Sequence, residues 1–193
     1  MIPYHGLPVT PATAAAKLLA GRHAFISHAH PEQIEIAVEV ARSFALDNGA
    51  FSAWTRGHKP DWGQYYTWVS DQKRFPNFDF AVIPDVIDGD EDANDSLIAE
   101  WPLGWAGAPV WHLHESLGRL ARLAHLWPRV CLGSSGVYAN PGSPEWWDRM
   151  AEAMDVVCDA DGFPRTKLHG LRMMDPTLRR IPFSSVDSTS VLS

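Results

Sequence analysis

Cysteine is nearly missing from this 193-residue chain. Cys131 and Cys158 are the two it has, which excludes a disulfide framework and a four-thiolate zinc site. Both stand in apolar stretches, where a buried, reduced thiol is the ordinary state, and this suits the cytoplasm. Positive charge is also short. Sixteen Lys and Arg face 23 Asp and Glu, a net charge of −7, so the chain as a whole is not a basic body that holds nucleic acid through bulk charge. Any polyanion it handles must meet a local basic patch or a partner. No apolar run reaches the length of a membrane span, and the N-terminal MIPYHGLPVTPATAAAKLLAG has no basic cluster followed by a continuous apolar run. Neither export nor membrane insertion is expected. Internal repeats and low-complexity segments are absent as well.

The composition is 46% apolar and 20% charged, enough for one domain with one core over residues 1–193. Residues 1–21 read as an N-terminal extension. Beyond them, short apolar runs alternate with longer amphipathic ones. RHAFISH, FALD, FDFAVIPD, APVWHLH, RVCLGSS, TKLHGL and PFSSVDST read as strands. PEQIEIAVEVARS, DWGQYYTWVSDQKRF, DEDANDSLIAEW, ESLGRLARLAHLW and SPEWWDRMAEAMDVVCD read as helices, with a short one opened by Asp175 and Pro176. Ser143 caps the SPEWW helix and Pro144 fits its first turn. Seven strands with intervening helices predict a parallel α/β architecture.

Polar residues choose between an open sheet and a (β/α)8 barrel. Asp47, Asp85, His112, His114, Ser134, Ser135, His169 and Asp187 each close an apolar run on its C-terminal side, where barrel enzymes gather their chemistry. The expectation is a compact, incomplete TIM-type barrel of about seven βα units. The last readable strand ends near residue 189, so the barrel is open, or an N-terminal segment or a second subunit closes it. An open edge would favour a dimer.

Three carboxylates stand out: Asp47 in ALDNGAFSAW, Asp85 in VIPDVIDGD and Asp187 in FSSVDSTS. Carboxylates converging at a barrel mouth can act as nucleophile and as acid or base on a glycosidic carbon. Each also has a structural reading, because Asp-Asn-Gly is a strong turn tripeptide and Asp85 and Asp187 can cap the next helix or turn. LGSSG, Leu132 to Gly136, suits close approach of backbone N–H groups to a phosphate or a planar base, or simply an ordinary βα turn. Nine tryptophans, among them Trp54, Trp62, Trp101, Trp105 and Trp111 near breaks, pack a core or stack a flat ligand. A competing constellation is His28, His30, His112, His114 and His169, which at successive strand ends would suit a metal-dependent hydrolase.

Taken in order, these motifs resemble the tRNA-guanine transglycosylase superfamily, most closely its DpdA-type branch of DNA 7-deazaguanine transglycosylases from phages and bacterial islands. The likeness runs from about residue 22 onward. ALDNGAFSAW is similar to the family's Asp-Ser-Gly-Gly-Phe-Gln element, which implies acid–base or base-contacting work for Asp47 and purine stacking for Phe51. FAVIPDV implies a guanine-reading role for Asp85. In PVWHLHE, His112 or His114 stands where the family has a base-contacting glutamine. RVCLGSSG implies purine contacts from Gly133, Ser134 and Ser135, KLHGLRMMDP places His169 before the nucleophile, and FSSVDSTS implies that Asp187 is that nucleophile. The resemblance implies exchange of guanine for a 7-deazapurine such as 7-cyano-7-deazaguanine, without cofactor or metal.

The expected partners are nucleic acid, DNA ahead of tRNA, a 7-deazapurine base, and a second copy or helper subunit. The tRNA enzymes' cysteine-rich zinc element has no counterpart here. Arg165, Lys167, Arg172, Arg179 and Arg180 read as a local basic strip or as solvated surface. A third reading is a relative that binds a base or nucleic acid without turnover.

Overall fold

Short segments rich in alanine, aromatic and branched residues become strands, and the amphipathic segments between them become an outer layer of helices. The structure, a computed structural model, describes residues 1–188. In chain order the elements are β1 (Ile2–Leu7), α1 (Ala12–Leu19), β2 (His23–Ser27), α2 (Ile34–Val40), β3 (Ser43–Asp47), α3 (Ala50–Thr55), α4 (Trp62–Gln72), β4 (Phe78–Val82) and α5 (Glu91–Glu100). They continue with β5 (Gly107–Ala108), β6 (Val110–His112), α6 (Leu117–Leu126), β7 (Arg129–Gly133), α7 (Pro144–Val157), β8 (Lys167–Gly170) and β9 (Ser185–Ser188). Side chains start several helices. Asp61, Asp90, Ser116 and Ser143 accept the N–H groups of Gln64, Ala93, Arg119 and Trp146, with Pro144 in the first turn of α7 as expected.

All nine strand segments pair in parallel, in the order β5-β4-β3-β2-β1-β9-β8-β7-β6. The two ends of that order are consecutive in the chain and separated by Pro109 alone. Ala108 O accepts the Ile83 N–H at 2.9 Å on one side, and Pro109 O accepts the Cys131 N–H at 2.8 Å on the other. One stretch of chain therefore serves both neighbours, and the sheet nearly closes into a barrel. Proline has no N–H to give the ladder, which is why the strand APVWHLH divides there.

Two expectations are corrected. Residues 1–21 are not an extension: Ile2–Leu7 is the strand between β9 and β2, with Tyr4 opposite both Asp187 and His23. Its sequence hides it, because IPYHGL mixes a histidine, a glycine and a proline into a short apolar run. The dimer argued from an open edge likewise loses that basis, because of the three alternatives it is the N-terminal segment that fills the gap between β9 and β2. The outer shell is what remains incomplete, since the segment after β8 makes a 3-10 turn at Pro176–Arg180 rather than an α-helix. The last residues of FSSVDSTS, Thr189 and Ser190, lie outside the described residues.

Period-two alternation sorts the strands' side chains. Ala24, Ile26, Phe44, Leu46, Ala81 and Ile83 face the helices on one side of the barrel; Trp111, Val130, Leu132, Leu168 and Val186 do so on the other. Tyr4, Phe25, Ala45, Phe80, Val82, Ala108, Val110 and Cys131 fill the interior. The N-terminal end of the barrel is plugged. There the Tyr4 hydroxyl donates to the Asp79 carboxylate, Arg129 meets Asp79 at 3.0 Å, and its guanidinium lies 4.0 Å over the Phe80 ring. Cys131 is buried and Cys158 half-buried at the end of α7, both as free thiols. Among the described residues no helix is long and apolar enough to cross a membrane.

Tyr4 links these observations, being fully buried and bonded to the plug. Tyr4→Ala is expected to cost about 4 kcal/mol in urea unfolding, the range for deleting a large buried aromatic. A cost below about 1 kcal/mol would show that β1 is not part of the barrel's core.

Candidate active site

At the other end, the strands' C-terminal ends surround a cavity of about 440 Å³. Asp47, Asp85 and Asp187 reach it from β3, from just past β4 and from β9, and His112 reaches it from β6. Local sequence explains each placement.

Asp47, Asn48 and Gly49 form the turn that their order predicts. Asp47 Oδ2 accepts the Gly49 N–H at 3.2 Å, and Asn48 Oδ1 accepts the Ala50 N–H at 2.7 Å, which starts α3. Gly49 has φ +77°, and a Cβ there would stand 3.1 Å from the Ala29 nitrogen, so glycine is required. Asp47 is thus both turn former and cavity wall. The Asn48 amide donates to Ile83 O at 2.9 Å and to Asp85 Oδ1 at 2.7 Å, carrying the turn across to the next carboxylate.

Asp85 is buried, and its Oδ2 meets His112 Nε2 at 2.8 Å. A carboxylate accepts, so Nε2 carries the proton. The other ring nitrogen, Nδ1, is buried without a partner among the described residues and faces Gly133, where a Cβ would come within 3.0 Å of it. Gly133 is therefore the residue that lets His112 fit. Behind the strand, the His112 N–H donates to Glu115 Oε2 at 2.8 Å. Glu115 is buried with Arg119, which donates to it at 2.7 Å and to Val110 O at 2.8 Å, while Asn94 donates to its other oxygen at 2.9 Å. Asn94 Oδ1 also accepts the Val86 N–H at 2.7 Å. A single buried polar network thus fixes β6 and the chain after Asp85 together. Removing one partner would strand a charge away from water.

Asp187, 1% exposed, accepts the Arg172 N–H on Oδ1 at 2.8 Å. His169 Nε2 lies 3.3 Å from the same oxygen, while its Nδ1 and the Ser185 hydroxyl are hydrogen-bonded at 2.8 Å. Oδ2 is left without a hydrogen-bond partner among the described residues, on a side chain that lines the cavity. Arg172 holds its N–H there by adopting φ 56°, the left-handed region, which an arginine occupies only at a cost. Its guanidinium stacks 3.8 Å over the Phe51 ring, across the cavity mouth.

Burial pushes Asp47 up to about 6, and the neighbouring Asp187 and Asp85 charges push the same way, against the Ser27 hydroxyl and the Gly49 N–H. A carboxyl of this kind holds or releases a proton near neutral pH.

Of the residues singled out from sequence, Asp47, Phe51, Asp85, His112, Gly133, Ser134 and Asp187 line this one cavity, as do His30 of the histidine set and Arg172 of the basic strip. Ser134 also accepts the Trp146 indole N–H at 3.0 Å. Three others stand elsewhere. His169 is fully buried in the barrel interior, packed on Phe25, Phe80 and Tyr4. His114 is exposed, stacked on His112 and hydrogen-bonded with Ser135 at 2.6 Å, and Ser135 is buried behind the wall.

The five histidines do not converge: His28 packs on Tyr65 and Trp68, and His30 bonds Arg56 at 3.2 Å. Among the described residues no group of three or more His, Cys, Asp or Glu side chains is placed to hold a metal ion. The late basic residues also separate, because Lys167 opens β8 while Arg172 lies past its C-terminal end, and Arg180 lies against Trp147. Sequence reasoning missed Ser27, Asn48 and Arg172 as cavity residues. The first two carried a signal, namely alternation after Phe25 and the turn tripeptide; the third carried none. Comparison of the chain with models of protein families, with curated proteins and with solved structures finds no match.

Because Asp47 titrates higher in the fold than its ordinary 3.8, the unfolded chain releases that proton first. The stability this group contributes is greatest below about pH 4 and is lost as pH rises through about 6. Asp47→Asn is therefore expected to be more stable than the parent by about 2 kcal/mol at pH 8 and no more stable at pH 4. Urea unfolding at the two pH values checks this; an equal gain at both would remove the titration argument.

Proposed function

We propose that this barrel is a transglycosylase that exchanges guanine for a 7-deazapurine in nucleic acid, DNA in preference to tRNA, through a covalent enzyme intermediate. The observation that carries the reading is the meeting of three carboxyls from three strands in one cavity, one of them poised to titrate near neutrality. The order of the motifs in the chain supports it independently.

In this reading Asp187 Oδ2 attacks C1′ of the target nucleotide. The C1′–N9 bond breaks, its electron pair leaves with guanine, and the proton on Asp47 passes to the departing base. A glycosyl ester on Asp187 results. The incoming 7-deazapurine gives its N9 proton to Asp47, attacks C1′ and displaces the carboxylate, so enzyme and proton count are restored. A carboxyl near 6 is suited to both halves, since it is neither a strong acid nor a poor base at neutral pH. The Arg172 N–H keeps one oxygen of Asp187 fixed and the other free to react. Asp85, tied to Asn48 and His112, offers acceptors to the ring N–H and amino group of a guanine edge, and Phe51 offers a face for the ring. The cavity volume of about 440 Å³ accommodates a nucleoside-sized group.

Incorporation of labelled guanine into single-stranded DNA, duplex DNA and tRNA tests the proposal. The expected result is incorporation into DNA, reduced at least about 1,000-fold in Asp187→Ala with the fold intact. Retained exchange in that variant would overturn the assignment of Asp187, and incorporation into tRNA alone would overturn the preference for DNA.

A further inference from the structure

Helix α3 comes directly after the Asp47–Gly49 turn and carries aromatic faces from the cavity outward. Phe51, 40% exposed, lines the mouth; Trp54, 49% exposed, lies one turn on, with ring centroids 5.8 Å apart. The Arg172 guanidinium covers one face of Phe51 at 3.8 Å, so Trp54 is the more open ring of the pair. The next segment, Arg56 to Lys59, is exposed and brings two cations and His58 beside them. Arg56 also bonds His30 on the cavity wall at 3.2 Å. Acidic groups nearby have other partners. Asp61 caps α4 through the Gln64 N–H, and Glu32 lies 3.7 Å from His30. In a chain of net charge −7, this places aromatic faces and positive charge together at the one end that holds the cavity.

We infer that the Phe51–Trp54 face with Arg56 and Lys59 binds an unpaired stretch of DNA next to the nucleotide held in the cavity. This rests on the proposed exchange reaction for the identity of the polymer. The state of the strand is set by stacking: a base inside a duplex has both faces covered by its neighbours and has none to offer Trp54. An unpaired base has, and aromatic faces with flanking cations bind such strands with little regard to sequence. Trp54 takes a base flanking the target, while Arg56 and Lys59 meet the phosphates.

The test is fluorescence anisotropy with a labelled DNA oligonucleotide of about 12 residues, the same sequence as duplex and as RNA, over about 50–200 mM salt. The single strand is expected to bind at least about 10-fold more tightly than the duplex, and Trp54→Ala to lose about 10-fold or more of that affinity. Trp54→Phe, which keeps an aromatic face, should stay within about 3-fold of the parent, and Lys59→Ala should lower the salt slope by about one unit or less. Parental affinity in Trp54→Ala, tighter binding of the duplex, or tighter binding of the RNA overturns the inference. The same titration set beside the exchange assay, both on the parent chain and on Trp54→Ala, separates the two claims. Trp54-dependent strand binding without any exchange sustains this surface and removes the transglycosylase reading; exchange with Trp54-independent binding does the reverse.

Discussion

Eight short stretches of parallel chain must fill a ring only a few side chains wide, and this limit on interior volume governs everything else in the structure. Each strand offers the interior two or three side chains at most, on alternate positions. Tyr4, Phe25, Phe80 and His169 take most of that space, and Ala45, Ala108 and Gly133 yield it. With one end plugged by Tyr4, Asp79 and Arg129, the remaining volume opens only where the strands finish. The carboxyls there face a cavity because the bulk lies beneath them.

The polar groups at that end are held by bonds that run between strands rather than along them. Asn48 on the chain after β3 bonds Asp85 after β4; Asp85 meets His112 of β6; and the His112 backbone leads to Glu115, Arg119 and Asn94. Such a network is costly to bury in part and rigid when complete. It explains why Asp85 and His112 occupy fixed places although neither belongs to a regular helix, and why Gly133 faces them.

Most of the barrel was legible from period and punctuation. Strands such as RVCLG and TKLHG and helices such as SPEWWDRMAEAMDVV carry their apolar spacing and caps in plain sight. β1 was not legible, because a six-residue strand between two others needs no amphipathic signal and IPYHGL gives none. The division of APVWHLH at Pro109 was hidden for a different reason, since it arises from closure of the ring and not from local preference. At the site, strand-end position was a good guide for carboxylates. It was a poor one for histidines: His169 ends its strand pointing inward among aromatic rings, while His114 lies two residues beyond His112 and outside the cavity. Arg172, read from sequence only as part of a basic strip, could not be placed at the cavity, because its position depends on a left-handed backbone that nothing in HGLRMM announces.

The double task of Asp47 has a thermodynamic consequence. Its Oδ2 accepts the N–H of Gly49, the residue just before α3, and an ionised carboxylate accepts such a bond more strongly than a protonated one. The proton that comes and goes near pH 6 therefore also tightens and loosens the root of the helix bearing Phe51 and Trp54. Anything that binds those rings and prefers the firmly held helix must, by reciprocity, draw a proton off Asp47. The charge on Asp47 and the hold on the first turn of that helix are in this way coupled through a three-residue turn.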